Sequence, residues 1–120
     1  MEEFKSEKEK MIAGALYFAS DPELVADRKK AREQMALINQ QPDTYIRRQL
    51  IEETFGKVGV GTYIEPMIQF DYGYNISVGK NFYANFNNVF LDVCPIEIGD
   101  NCMFGPNVQL YTAEHPLQAA

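Results

Sequence analysis

The chain has 120 residues, of which 46% are hydrophobic and 23% charged, a composition typical of one ordinary globular domain. It carries 17 acidic against 11 basic side chains, and its net charge of −6 argues against nucleic acid or an anionic membrane surface as partner. Residues 1–5 lack the apolar core of a signal peptide, and no apolar run approaches the length of a membrane span. We therefore expect a cytoplasmic protein.

Three helices are predicted in the first half of the chain. Ser6 and Glu9 have the spacing of a capping box, which predicts a first helix that runs towards Phe18. Asp21 followed by Pro22 predicts a second helix, because an acid is a good N-cap and proline is tolerated in the first turn. The apolar residues of this second helix recur on one face, at Leu24, Ala31, Met35 and Ile38.

The third helix is predicted between Asp43, which caps its start, and Gly56, which stops it. Its inward side chains are expected to be Ile46, Leu50, Ile51 and Phe55. These patterns together predict one helical segment over residues 1–56.

After Gly56 the chain becomes rich in Gly, Asn, Tyr and Phe, which is typical of short strands joined by tight corners. Small or apolar residues recur every six positions, with a two-residue slip before the second series: Val78, Ala84, Phe90 and Ile96, then Ile98, Phe104 and Leu110. A period of six fits neither an amphipathic helix nor an alternating strand, and it is typical of a parallel β-helix. Bends are expected at asparagines, which tolerate left-handed backbone angles: Asn75, Asn81, Asn87, Asn101 and Asn107.

Two cysteines, Cys94 and Cys102, fall at or near inward positions of this repeat. We expect reduced, buried thiols rather than a disulfide. His115 is the only histidine of the chain, and the cysteines add no cluster with zinc-like spacing, so we predict no metal site.

Four blocks of the second half resemble, in order, the maltose and galactoside O-acetyltransferases: residues 81–87 (NFYANFN), 91–96 (LDVCPI), 98–103 (IGDNCM) and 111–116 (YTAEHP). Residues 7–11 and 21–24 resemble the helical cap of the maltose branch of that family. The resemblance covers nearly the whole chain and identifies it with the hexapeptide-repeat acyltransferases. It implies a mostly β fold, a left-handed parallel β-helix over residues 57–120, preceded by a small α-helical cap over residues 1–56.

The same resemblance implies a homotrimer whose active sites lie between subunits, where acetyl-coenzyme A donates its acetyl group to a hydroxyl of maltose, glucose or a galactoside. His115 matches the catalytic histidine of the family, and Asn85 matches the asparagine that stabilises the transition state beside acetyl-coenzyme A. Asp71, Tyr83 and Asp92 match positions that bind the acceptor sugar. The chemistry suits these residue types, because histidine titrates near neutral pH and an amide NH₂ is an effective donor to an oxyanion.

Each assignment also has a structural interpretation. His115 could be a polar turn residue, Asn85 a corner asparagine, and Asp92 a partner of a neighbouring coil. Tyr17 is followed by Phe18 rather than by the acid that is common in the family, and the sequence stops soon after His115, where family members continue through further coils. Two alternatives therefore stay open: a truncated, inactive β-helical fragment, and an acetyltransferase for another hydroxylated acceptor.

Overall fold

The computed structural model describes residues 4–112 of the chain. Its helices come first, and they are α1 (Glu7–Ile12), α2 (Pro22–Gln40) and α3 (Thr44–Thr54). Short strands follow, and they are β1 (Lys57–Val58), β2 (Tyr63–Ile64), β3 (Ile68–Phe70), β4 (Ile76–Val78), β5 (Tyr83–Ala84), β6 (Asn88–Leu91), β7 (Ile96–Ile98), β8 (Met103–Phe104) and β9 (Gln109–Tyr111).

The three helices start where their capping residues predict. The Ser6 side chain accepts a hydrogen bond from the backbone N–H of Glu9 at 3.1 Å. Asp21 caps α2, with Pro22 as the first helical residue, and Asp43 accepts from a backbone N–H of the first turn of α3 at 3.0 Å. These starts could be predicted because a cap depends only on residues within one turn of the helix.

The end of α1 differs from the prediction, because the helix stops at Ile12 instead of continuing towards Phe18. Gly14 has a φ of +81°, a left-handed conformation that favours glycine and ends a helix. The backbone N–H of Gly14 donates to Met11 O and that of Ala15 donates to Lys10 O, at 3.1 and 2.9 Å. The prediction that α1 runs towards Phe18 was therefore wrong, because Gly14 ends the helix.

The strands form a coil with three parallel sheets, as the six-residue period predicts. The sheets have the orders β1-β4-β7, β2-β5-β8 and β3-β6-β9. In every sheet a residue pairs with one that is 20 positions further along the chain, as Ile76 does with Ile96 and Phe70 with Phe90. One turn of the coil is thus 20 residues long, two more than three six-residue repeats. The two-residue slip in the sequence pattern therefore corresponds to an extra stretch at one corner.

That extra stretch lies between the third sheet and the first. The corner between β3 and β4 comprises residues 71–75, whereas residues 79–82 and 85–87 suffice at the other two corners of the same region. Tight bends at those shorter corners are made by asparagines with φ near +60°, namely Asn81, Asn87, Asn101 and Asn107. Asn75 lies in the longer corner and is buried, and its φ is not positive, so the left-handed bend expected there was predicted wrongly.

The core of the coil consists of the repeat residues predicted to point inward. Val78, Ala84, Phe90, Ile96 and Ile98 are all buried. Aromatic rings fill the centre, with Phe82 in edge-to-face contact with Phe104 at 5.1 Å between centroids. Such edge-to-face contacts stabilise the core in addition to the burial of apolar area. Each turn of the coil covers the apolar inner face of the turn before it.

The helical segment packs against the first coil and bonds to its backbone. Asn39 of α2 donates through Nδ2 to Ile68 O and accepts through Oδ1 from Ile68 N–H, both at 2.9 Å. Arg47 of α3 is buried and donates through Nε to Ile64 O at 3.1 Å. These two side chains satisfy backbone groups on the side of the strands that faces away from the next coil.

One inward position of α3 was predicted wrongly. Ile46 is exposed, and the neighbouring Arg47 is turned inward instead. Ile51 and Phe55 are buried and Leu50 packs partly against the core, as predicted. An apolar side chain is displaced here by a guanidinium because only a donor can satisfy the strand carbonyl at Ile64.

Candidate active site

The candidate site is built around the five-residue corner 71–75 and the carboxylate of Asp92. Asp92 follows β6 in the next coil and is fully buried. Its Oδ1 accepts from the backbone N–H groups of Asp71 and Tyr72 at 3.0 and 2.9 Å. Its Oδ2 accepts from those of Gly73 and Asn75 at 2.8 and 3.2 Å. The carboxylate therefore holds the whole corner against the coil.

Burial dominates the electrostatics of this carboxyl group. Removal from water raises the pKa of Asp92 from 3.8 to about 6, although the hydrogen bonds from Tyr72, Asn75 and Gly73 act in the opposite direction. At neutral pH the group is still mainly ionised, so it can accept hydrogen bonds on both oxygens.

Asp71, the first residue of the corner, lies beside charged residues of the helical segment. Partial burial raises the pKa of its carboxyl group, while the positive charges of Arg28 and Arg32 on α2 oppose that shift. Burial also raises the pKa of Tyr17, whose phenol lies close enough to Arg28 and Asp71 to interact with their charges. A carboxylate, a guanidinium and a phenol thus converge beside the corner, and all three can bond to hydroxyl groups.

Arg28 bonds both to the corner and to the segment before α2. Its Nη1 donates to the Tyr72 hydroxyl at 2.8 Å, and its Nη2 donates to Ala19 O at 2.7 Å. Arg28 therefore joins α2, the segment before it and the corner 71–75. Nothing in the sequence distinguishes Arg28, because its neighbours are charged residues of an ordinary solvated helix face and its partner lies 44 positions away.

Tyr74, in the same corner, makes a second set of contacts with the helical segment. The Tyr74 hydroxyl donates to Asp27 Oδ2 at 2.8 Å, and the Lys8 ammonium lies 4.2 Å from the centre of the Tyr74 ring. The rings of Tyr72 and Tyr74 stack with centroids 5.3 Å apart. They border a cavity of about 240 Å³ that Gln34 and residues 53–54 also line.

Tyr83 and Asn85 lie at a different edge of the coil. Tyr83 is in β5, and its ring stacks on that of Tyr63 with centroids 5.7 Å apart. Asn85 follows β5 at the corner before β6, and its Oδ1 accepts from the backbone N–H of Phe86 at 2.8 Å. Within residues 4–112 no acceptor is bonded to Asn85 Nδ2, so this amide can donate outward.

The structure brings some of the predicted residues together and separates others. Asp71 and Asp92 are in direct contact through the Asp71 N–H. Tyr83 and Asn85 are separated from them by the length of β6. His115, the predicted base, lies outside the described residues; Thr112, three positions earlier, bonds through Oγ1 to Leu91 O at the corner of Asp92.

Neither a metal site nor a membrane helix is found in residues 4–112. No group of three His, Cys, Asp or Glu side chains in that range could hold a metal ion. Cys94 and Cys102 carry free thiols and are half-buried, and the Cys94 thiol donates to Met11 O at 3.3 Å. None of the helices described there is long and apolar enough to cross a membrane.

Comparison with known proteins gives concordant matches. The maltose acetyltransferase hexapeptide capping motif matches residues 10–59. A maltose O-acetyltransferase from Clostridium difficile is 49% identical, with a TM-score of 0.89 over 93% of this chain and 61% of that one. The chain is thus similar over nearly its whole length to maltose and galactoside O-acetyltransferases.

Two further solved structures, both with a bound cofactor, are similar to the chain. A hexapeptide-repeat acetyltransferase from Vibrio cholerae, solved in complex with acetyl-coenzyme A, is 38% identical, with a TM-score of 0.87 over 93% of this chain and 61% of that one. A galactoside acetyltransferase in complex with coenzyme A is 36% identical, with a TM-score of 0.86 over 95% of this chain and 58% of that one. The chain spans 59 to 62% of the length of three curated relatives, among them a putative acetyltransferase from Dictyostelium discoideum that is 48% identical.

The resemblance to the maltose and galactoside O-acetyltransferases was therefore predicted correctly from the blocks between residues 81 and 116 and the two stretches of the helical segment. Tertiary features of the site were not predicted. The saturation of Asp92 by backbone N–H groups and the contact of Arg28 with the corner both depend on the path of the folded chain.

Proposed function

We propose that the protein is an acetyl-coenzyme A-dependent O-acetyltransferase whose acceptor is a sugar hydroxyl of the maltose, glucose or galactoside type. The observation that carries this proposal is the fold match over 93% of the chain to an acetyltransferase that was solved with acetyl-coenzyme A. We further infer that the coil is left-handed, as in the hexapeptide-repeat family, and that residues 1–56 form a helical cap for the β-helix of residues 57–120. The capping motif matched at residues 10–59 supports the second inference.

In the proposed reaction His115 acts as the general base. Its ring removes the proton from the acceptor hydroxyl as the hydroxyl oxygen attacks the thioester carbonyl carbon. The C–S bond then breaks, and the same proton passes from His115 to the departing thiolate of coenzyme A. The products are an acetyl ester and free coenzyme A, so no metal ion and no covalent acyl-enzyme take part.

Asn85 is proposed to stabilise the negative charge that develops on the carbonyl oxygen of acetyl-coenzyme A. Its own Oδ1 is engaged by the Phe86 N–H, which fixes the orientation of the amide group. Nδ2 is then held as a donor at the corner of the coil. Loss of one such donor typically costs about 3–4 kcal/mol of transition-state stabilisation.

The acceptor is proposed to bind near the corner 71–75. Asp71 and Arg28 offer an acceptor and donors for sugar hydroxyls, and Tyr83 is proposed to contact the sugar from its separate edge. Asp92 belongs to the same subsite, but its oxygens are occupied by the four N–H groups of the corner. In this proposal its effect on the acceptor is exerted through the corner.

A homotrimer would complete the site. Asn85 and Asp71 lie at different corners of one coil, so a crevice between two copies can place the Asn85 corner of one chain beside the Asp71 corner of its neighbour. The free thiols of Cys94 and Cys102 suit a reducing compartment, which supports a cytoplasmic location.

The test of the proposed function is acetyl transfer by the protein to maltose, glucose and a galactoside, followed as release of coenzyme A. His115→Ala should lower kcat by about 10²–10⁴-fold, because it removes the base, while the thermal unfolding midpoint stays the same. Turnover at the wild-type rate in this variant would exclude His115 as the base. Absence of transfer to every sugar by the wild-type protein would refute the proposed function itself.

A further inference from the structure

The corner 71–75 is held between two different parts of the molecule. From the coil, Asp92 accepts four of its backbone N–H groups, and Asn75 Nδ2 donates back to Asp92 O at 2.9 Å. From the helical segment, Arg28 and Asp27 bond to the hydroxyls of Tyr72 and Tyr74. The corner is therefore a joint between the helices and the coil, and Asp71 is its first residue.

The middle of this joint has no spare room. Gly73 has a φ of +87°, and a Cβ atom added to it would lie 2.8 Å from Thr54 Cγ2 at the end of α3. The backbone of the corner thus lies directly on α3, with its N–H groups turned towards Asp92. The corner is therefore packed against α3 on one side, and on the other side its backbone N–H groups all bond to one carboxylate.

We infer that Asp92 is a positioning residue, which sets the orientation of the corner 71–75 and thereby the place at which the Asp71 carboxylate meets the acceptor. This inference rests on the proposed function, because it gives Asp92 an effect on acceptor binding without contact with the sugar. Asp92 is fully buried, and each of its oxygens already accepts two N–H groups, so it has no surface to offer a ligand.

The chemistry of the position requires a carboxylate. Two oxygens that both accept can face four N–H donors, whereas the amide of asparagine turns an NH₂ donor towards two of them. Burial raises the pKa of Asp92 to about 6, and the phenol of Tyr74 lies close enough to interact with its charge. The carboxyl group is still mainly ionised at neutral pH.

The decisive variant is Asp92→Asn, and Asp100→Asn is its matched control. Asp100 also accepts a backbone N–H from the preceding coil, that of Lys80 at 2.7 Å, but it is exposed and lies at another corner. Both variants exchange one carboxylate for an amide of the same shape. Amide hydrogen exchange is measured at residues 71, 72, 73 and 75, together with KM for the sugar, KM for acetyl-coenzyme A and kcat.

In Asp92→Asn we expect at least one pair of these four amides to exchange about tenfold faster or more, while amides of β3 and β6 keep their protection. The KM for the sugar should rise about tenfold with the KM for acetyl-coenzyme A unchanged, because only the acceptor subsite is displaced. Asp100→Asn should leave all these values at the wild-type level. Wild-type protection of all four amides in Asp92→Asn, or an equal change of both KM values, would overturn the inference.

The variant Asp71→Asn distinguishes direct contact with the sugar from positioning of the corner 71–75. This variant should raise the KM for the sugar as Asp92→Asn does, but its four corner amides should keep wild-type protection, because the backbone N–H of residue 71 can still bond to Asp92. An unchanged KM for the sugar in Asp71→Asn would also overturn the inference. If the wild-type protein acetylates no sugar, the proposed function fails, and the exchange measurement still decides by itself whether Asp92 fixes the corner.

Discussion

Asp92 shows how burial and hydrogen bonding oppose each other in a single carboxyl group. Four backbone N–H groups stabilise its charged form, yet loss of solvation outweighs them and raises the pKa to about 6. Neutral N–H donors offset only part of the cost of a buried charge, and no basic side chain is among the causes that lower this pKa. The ionised carboxylate that holds the corner therefore lowers the free energy of unfolding, because its burial is only partly compensated.

This balance predicts how stability depends on pH. The pKa of Asp92 is higher in the folded than in the unfolded chain, so the folded state binds the proton more tightly. The resulting stabilisation is complete below a pH near 4 and is lost as the pH rises through about 6. A difference of about two pKa units corresponds to roughly 3 kcal/mol in the free energy of unfolding. Asp71 contributes in the same direction.

The measurement is urea unfolding of the wild-type protein and Asp92→Asn between about pH 4 and 7.5. Asparagine does not titrate, so the stability deficit of this variant should be largest at low pH and should shrink as the pH rises. Asp100→Asn keeps the Asp92 carboxyl group and should show no such change relative to wild type. A deficit of Asp92→Asn that stays constant or grows with pH would contradict the predicted sign.

Residue roles could be predicted from sequence only where local blocks carry them. Tyr83, Asn85 and Asp92 were proposed from their place in blocks that resemble the family, and Asp71 from a matching position outside those blocks. These proposals remain predictions. What each side chain bonds to could not be predicted in this way. Arg28 meets Tyr72 across 44 positions of sequence, and Asp92 meets the corner across about 20, so both contacts exist only once the coil has closed.

At the scale of elements, the best predictions were those with short-range causes. The caps Ser6, Asp21 and Asp43 act within one helical turn, and asparagines at the shorter corners take left-handed angles that few other residues adopt. The orientation of α3 was predicted less well. Its periodicity placed Ile46 inward, but a strand carbonyl of the first coil requires the donor of Arg47 there.

The corner 71–75 should tolerate a methyl group poorly, and the chain supplies a matched pair of glycines to test this. Gly73 and Gly14 both have φ above +80°, so alanine is strained in either place. Only at Gly73 would the new Cβ collide, 2.8 Å from Thr54 Cγ2, whereas no described atom lies within 4 Å of a Cβ at Gly14. Gly73→Ala should therefore destabilise the protein by about 1–3 kcal/mol more than Gly14→Ala.

Urea unfolding of the two variants measures this difference directly. The shared backbone strain cancels in the comparison, so what remains is the fit of the corner against α3. Equal destabilisation by the two substitutions would show that the corner yields to the extra methyl group, and that it is not held closely between the helices and the coil.

At the scale of the whole molecule, the chain divides its candidate site between two corners of one coil. The Asn85 corner precedes β6 and the Asp71 corner follows β3, so a single chain presents them at opposite ends of the same sheet. A proposed homotrimer resolves this separation, because rotation about a threefold axis brings unlike corners of neighbouring chains together. Each site would then depend on two copies.

That arrangement predicts complementation between two inactive variants, Asn85→Ala and Asp71→Ala. Each variant alone should have little activity, because every site lacks one of the two groups. In trimers mixed at random from equal amounts, about a quarter of the sites should pair an intact Asn85 from one chain with an intact Asp71 from its neighbour. Co-expression with two different affinity tags and purification through both should therefore recover a measurable fraction of wild-type transfer to the sugar. If each site were built within one chain, no mixture would recover activity, because every chain carries one of the two substitutions. Absence of recovery would therefore contradict the shared-site arrangement.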